Sequence, residues 1–164
     1  MNFILIGMPG CGKTSLGKAA AGILNMKFTD LDDNIVELHG DITTIFANEG
    51  ETAFRKYETE VLKASIKNTD CIISSGGGII ETAENLEILK NQTVIFIDRN
   101  PESIIRTLDS DSRPLLKGKE EAVLKLYDRR YKKYIEAMDY QIHNEGSFNE
   151  CVNAIVKTIE SIRG

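Results

Sequence analysis

Residues Gly7-Met8-Pro9-Gly10-Cys11-Gly12-Lys13-Thr14 leave little freedom in how the first part of this chain is built. A short apolar run, Asn2–Ile6, precedes them, and Lys13–Leu24 follows with helical spacing. The pattern G-x-x-x-x-G-K-[ST] between a strand and a helix is the phosphate-binding P-loop. Its glycines allow torsions that turn successive N–H groups inward, and the helix that follows adds the positive end of its dipole. Lys13 is expected between the β- and γ-phosphates of a nucleotide, with the Thr14 hydroxyl on Mg²⁺. Gly10, Cys11, Gly12, Lys13, Thr14 and Ser15 are the expected ATP contacts of this loop.

Beyond the loop, short β-branched runs alternate with longer amphipathic segments. Asn2–Ile6, Cys71–Ser74 and Thr93–Ile97 read as buried parallel strands, and Phe28–Leu31 and Tyr140–His143 as weaker ones. Helical spacing covers Lys13–Leu24, Thr52–Ile66, Glu81–Leu89, Pro101–Leu108, Glu120–Ala137 and Asn149–Ile162, with Pro101 suited to a first turn. The alternation predicts an α/β fold with a central parallel five-stranded sheet and helices on both faces. At 164 residues the chain is expected to form one domain, residues 1–164. The polar stretch Asp109–Lys119 joins two helical patterns and reads as a mobile surface loop.

Bulk chemistry removes several function classes. The formal net charge is −5, so no general basic field favours nucleic acid or anionic lipid. Positive charge for a nucleotide must be gathered locally. No apolar run approaches the roughly 20 residues that span a bilayer, and Met1–Ile6 lacks the basic leader of a signal peptide. Three widely spaced cysteines, Cys11, Cys71 and Cys151, make a disulfide framework or zinc site an unsuitable reading and favour a reducing compartment, the cytoplasm. A GTPase's guanine-reading N-K-x-D is absent.

Five further patterns bear on what receives the phosphate. Asp30 and Asp32, two apart at a strand's end, are expected to face one site. Gly50-Glu51-x-x-Phe54-Arg55-x-x-Glu58 sets an arginine and a glutamate on one helix face. Ser75-Gly76-Gly77-Gly78 follows a strand and lets a ligand approach bare backbone. Arg113-Pro114-Leu115-Leu116 lies in the expected mobile loop, and Arg130 stands four residues before Tyr134. Singly, each has a bland explanation: aspartates at strand ends cap helices, arginines on helices are solvated, and Tyr127, Tyr131 and Tyr134 form a core stripe. His39 and His143 read as structural.

Taken jointly, D-x-D, G-E-x-x-F-R-x-x-E, G-G-G and R-P-L-L resemble the shikimate kinases over nearly the whole chain. The resemblance implies a P-loop NTPase fold of the nucleoside-monophosphate-kinase type with a mobile lid at about 109–119 and an acceptor-binding helical part at about 32–60. It implies that Asp30 sits in the Mg²⁺ shell, and that Asp32 binds and activates the 3-hydroxyl of shikimate. It further implies that Arg55 and Arg130 clamp the acceptor carboxylate, that Gly77 and Gly78 pack on the ring, that Arg113 meets the transferring phosphate, and that Arg106 flanks adenine. The family usually reads R-x-P-x-Y around the clamp, whereas this chain reads Arg130-Tyr131-Lys132-Lys133-Tyr134, which leaves Arg129 as the alternative clamp. The adenine loop is expected near Asn144–Asn149. The implied activity is ATP-dependent phosphorylation of shikimate by a monomer, with Lys13, Asp32 and Arg113 catalytic. The alternatives are another small-metabolite kinase, such as a gluconate kinase, or a nucleotide-binding homologue without turnover.

Overall fold

The computed structural model describes residues 1–108 and 120–164. The expected lid and its Arg113 lie outside the described residues. Five strands, β1 (Phe3–Ile6), β2 (Lys27–Asp30), β3 (Cys71–Ser74), β4 (Thr93–Asp98) and β5 (Tyr140–His143), form one parallel sheet in the order β2-β3-β1-β4-β5. Pairing runs Phe3 beside Ile72 on one flank of β1 and Phe3 beside Thr93 on the other. The central strands β1 and β3 are buried at every position, as expected where helices cover both faces. At the two edges, β2 and β5 expose residues, and their mixed sequences KFTD and YQIH match that placement.

The helices are α1 (Lys13–Leu24), α2 (Leu31–His39), α3 (Ile42–Asn48), α4 (Glu51–Ser65), α5 (Ala83–Leu89), α6 (Pro101–Leu108), α7 (Glu120–Ala137) and α8 (Phe148–Arg163). Between β3 and α5, Ile79–Glu81 makes a single 3₁₀ turn, so the expected helix Glu81–Leu89 is divided at Thr82. The helical part expected at about 32–60 is built from three helices, α2, α3 and α4. Asp30 caps α2, Asp41 caps α3 by accepting from the Thr44 amide at 2.9 Å, and Gly40 and Gly50 break the path at φ 92° and 87°. α8 starts with a capping box, Ser147 and Glu150 bonding each other's backbone amides.

The chain leaves β1 toward β2 at one edge and leaves β3 toward β4 on the other side of β1. Parallel α/β sheets bind ligands beyond the carboxyl ends of their strands, where such connections reverse. Asp30 ends β2, the residues Gly10–Ser15, Asp32 and Gly77–Gly78 follow the carboxyl ends of β1, β2 and β3, and Arg55, Arg106 and Arg130 lie on α4, α6 and α7.

Candidate active site

The loop after β1 has the backbone that its glycines permit. Gly10 and Gly12 lie at φ 82° and 101°, and a Cβ on Gly7 would meet the Ile97 carbonyl oxygen at 2.5 Å. Gly12 is the N-cap of α1 and no side chain among the described residues caps that end, so the amides of the first turn face the cleft without a side-chain acceptor. The Lys13 ammonium folds back over the loop, donating to the carbonyls of Gly7 (2.8 Å) and Met8 (2.9 Å). Cys11 is fully buried beneath, its Sγ 3.6 Å from Lys13 Nζ.

A cleft of about 310 Å³ opens in front of this loop, lined by Gly10, Gly12, Lys13, Thr14 and Ser15 on one side. Asp30, Asp32 and Ser75–Gly77 line the other. Thr14 Oγ1 donates to Asp30 Oδ2 at 2.6 Å and lies 3.3 Å from Ser74 Oγ. A hydroxyl beside a carboxylate suits a small hard cation, which draws on one or two protein groups and takes its other ligands from phosphates and water.

Asp30 and Asp32 do share the cleft, but not for the expected reason. The strand ends at Asp30 and α2 begins at Leu31, so strand alternation does not align them. Asp30 Oδ1 accepts from the amides of Asp32 (2.9 Å) and Asp33 (3.4 Å), capping α2 and setting Asp32 on its first turn. The helix-capping role open to an aspartate at a strand's end thus falls to Asp30. Burial, and then the neighbouring charges of Asp30 and Asp33, push the Asp32 carboxyl above the usual range, while Lys13 and Arg55 pull it back.

The third wall is Gly76–Gly78, where added side chains would collide with working groups. A Cβ on Gly76 would lie 2.9 Å from Glu58 Oε2 and 3.0 Å from Asp32 Oδ1. On Gly77 it would strike Pro9 of the phosphate loop at 2.5 Å, and on Gly78 it would press more closely still on the Arg55 guanidinium. Arg55 donates to Glu58 Oε1 (2.9 Å) and to Glu51 Oε1 (3.2 Å). Burial opposes its charge, but Glu58 and Glu51 hold its pKa above the ordinary value. Glu58 itself is completely buried, its Oε2 has no hydrogen-bond partner among the described residues, and burial drives its pKa upward. The second glutamate of the motif thus serves to orient Arg55.

On α7, the side chain of Arg130 is 8% exposed and that of Arg129 58%, so of the two it is Arg130 that turns inward. Its charge is felt at Glu58. Tyr134, wholly buried, donates to the Gly77 carbonyl at 2.5 Å and so ties α7 to the glycine wall. It belongs to the expected core stripe, stacked on Phe96, and to the site as well. His39 stacks on Tyr57, as a structural residue does.

Elsewhere the structure spreads the sequence-selected residues further apart. The exposed Arg106 donates to Ser103 Oγ on its own helix and does not line the cleft. The segment expected to meet adenine begins beside the phosphate loop, Asn144 Nδ2 donating to the Cys11 carbonyl at 2.8 Å. Two residues that sequence reasoning passed over also reach this region. Arg99 donates to the Gly10 carbonyl (3.0 Å) and to Thr107 Oγ1 (2.7 Å), bracing the loop from outside. Glu81 sits among Arg129, Arg130 and Lys133. Arg99 had a usable signal, since it directly follows a strand's carboxyl end; Glu81, an acid three residues past the triple glycine, had none.

With this geometry in hand, comparison with known proteins is specific. The family model for shikimate kinase matches residues 9–160. The chain is 40% identical over 156 residues to a shikimate kinase of Clostridium botulinum (strain Alaska E43 / Type E3), covering 94% of each chain. Shikimate kinase from Acinetobacter baumannii, solved in complex with shikimate, superposes with a TM-score of 0.89 at 33% identity, over 98% of this chain and 93% of that one. A gluconokinase from Sinorhizobium meliloti superposes at 0.67 with 12% identity, over 98% and 92%, a likeness of fold alone. This chain is a member of the shikimate kinase family.

Proposed function

We propose that the chain transfers the γ-phosphoryl group of ATP to the 3-hydroxyl of shikimate, giving shikimate 3-phosphate and ADP. What supports this reading is that two groups of anion-attracting side chains and amides flank Gly76–Gly78. The amides of the phosphate loop and Lys13 are on one side, Arg55 and the inward Arg130 are on the other, and Asp32 lies between. A triphosphate at the first site and a carboxylate held by guanidinium forks at the second bring a hydroxyl of the acceptor toward the terminal phosphorus.

Phosphoryl transfer asks for positioning and charge stabilisation rather than covalent help from the protein. The hydroxyl oxygen bonds to the γ-phosphorus as the bond to the β-bridging oxygen breaks, and the hydroxyl proton leaves toward Asp32. Lys13 supplies positive charge to the moving phosphoryl, and the sequence adds Arg113. The pair Thr14 and Asp30 would hold Mg²⁺, which neutralises phosphate charge when bound. The triple glycine lets the acceptor lie against backbone, and its collisions with Arg55, Asp32 and Pro9 explain why no side chain is present there. ATP, shikimate and Mg²⁺ are the small molecules this site calls for. We place the enzyme in the cytoplasm as a monomer; its three cysteines are free and buried, and no helix among the described residues is long and apolar enough to cross a membrane.

An acceptor survey tests the assignment. ADP formation should be stimulated by shikimate and not by gluconate or nucleoside monophosphates. Equal stimulation by all, or preference for another acceptor, would overturn it.

A further inference from the structure

Three cations of α7 converge on one carboxylate. Glu81 Oε1 accepts from Lys133 Nζ at 3.2 Å and lies 3.7 Å from Arg130 Nε, and Oε2 lies 3.5 Å from Arg129 Nη2. Glu81 closes the 3₁₀ turn Ile79–Glu81, its amide bonded to the Gly78 carbonyl at 3.0 Å, so it is rigidly joined to the glycine wall. Arg130 is the most enclosed of the three cations, and its Nε, facing Glu81, lacks a hydrogen-bond partner among the described residues. A buried guanidinium without a nearby opposite charge carries a large desolvation penalty, and removing its partner exposes that penalty in full.

We infer that Glu81 is a positioning residue for the acceptor clamp: its carboxylate holds the Nε edge of Arg130, leaving the terminal nitrogens of the guanidinium to the acceptor carboxylate. The inference rests on the acceptor reading given above. Arg129 and Lys133, 58% and 41% exposed, keep the cluster cationic beside the charged Glu81. One acid can thus orient Arg130 without cancelling the positive field that draws in the substrate. Burial alone would raise the Glu81 pKa, but Lys133, Arg130 and Arg129 outweigh it and keep the carboxyl below its usual range. Glu81 is therefore ionised at neutral pH. Tyr134, bonded to Gly77 one helical turn from Arg130, provides the second fixed point between the same two segments.

The test is steady-state kinetics of Glu81→Gln and Glu81→Asp beside wild type, each with a thermal melt, repeated in an Arg130→Ala background. Glu81→Gln should raise KM for shikimate about tenfold, KM for ATP less than twofold and change kcat less than threefold, with Glu81→Asp intermediate. In Arg130→Ala the same change should add less than twofold to KM, because the group it orients is gone. An unchanged KM in Glu81→Gln, or an equal increase in both backgrounds, would overturn the inference. If Glu81→Gln does not fold, a wild-type KM in folded Glu81→Asp, whose shorter acid withdraws from Arg130, overturns it equally. Wild-type turnover with shikimate is read first, so a wrong acceptor shows as absent wild-type activity and a wrong role for Glu81 as an unmoved KM.

Discussion

Asp32 sits where its own ionisation is disfavoured, which links its chemistry to the stability of the fold. Burial and the charges of Asp30 and Asp33 raise its pKa in the folded protein above the unfolded value. The folded state therefore holds the proton more tightly, and ionising Asp32 costs stability progressively as pH rises from about 4 through the folded pKa. Asp32→Asn removes that cost. We expect its melting temperature at pH 7.5 to exceed that of wild type, by ~2–4 °C for each kcal/mol recovered, and the difference to vanish near pH 4, where wild-type Asp32 is protonated too. Turnover should fall by about 10²–10⁴-fold, the range for lost proton-transfer assistance. A melt lower than wild type at pH 7.5 would contradict the electrostatics, and normal turnover would contradict the role. Lys13 differs. With its ammonium on two loop carbonyls, Lys13→Ala leaves those oxygens without their donor and should cost about 1–3 kcal/mol of stability besides turnover. Denaturant unfolding would show it. The motif made Lys13 and Thr14 legible from sequence. The double duty of Asp30 was not, because a cap depends on which residue opens the helix, and that is decided here by a strand that stops at Asp30.

At the level of elements, the segment from Ser75 to Gly78 separates the two proposed anion sites, and neighbouring glycines should fail differently. Gly78→Ala pushes a methyl into the Arg55 guanidinium, the far end of a flexible side chain, so Arg55 can yield. The protein should fold, with KM for shikimate raised about tenfold and KM for ATP little changed, a loss of ~1.4 kcal/mol in acceptor binding. Gly77→Ala instead meets the ring and backbone nitrogen of Pro9. A loop fixed by positive-φ glycines and a proline yields less, so here KM for ATP should rise and the melting temperature fall by several degrees. Matching kinetic profiles for the two variants would refute this division. Strands β1, β3 and β4 were readable because burial on both faces demands unbroken apolar runs, and α1, α4, α7 and α8 because their periodicity is long. The pair α2 and α3 was legible only as a helical region. Each is under three turns, and Val36, Leu38 and Phe46 are exposed apolar residues that blur the amphipathic stripe. What separates the helices is Gly40 with φ 92° followed by the Asp41 cap, a local device that spacing does not reveal.

For the molecule as a whole, an acidic chain of net charge −5 must receive two anions. On the proposed function, the cations assigned to them are Lys13, Arg55 and Arg130, carried by α1, α4 and α7, segments far apart in sequence. Net charge pointed to the need for local cations; which cations meet was legible through family likeness, since nothing in spacing alone joins residue 13 to residue 130. Because the ligands grip elements distributed along the whole chain, binding should stabilise global unfolding rather than one local patch. A ligand bound to the folded state at 100 times its dissociation constant adds about 2.7 kcal/mol. In a domain of this size that corresponds to a rise of about 5–11 °C in melting temperature. We expect this with a non-hydrolysable Mg²⁺·ATP analogue in wild type and a much smaller rise in Lys13→Ala at the same ligand concentration. Shikimate at a like multiple of its dissociation constant should give a comparable rise in wild type, and at that same concentration almost none in Arg130→Ala. The two variants separate the sites: loss of the nucleotide shift should leave the acceptor shift in place, and the reverse. If Arg130→Ala abolished the nucleotide shift while leaving the acceptor shift intact, the two anion sites would have been assigned to the wrong walls of the cleft.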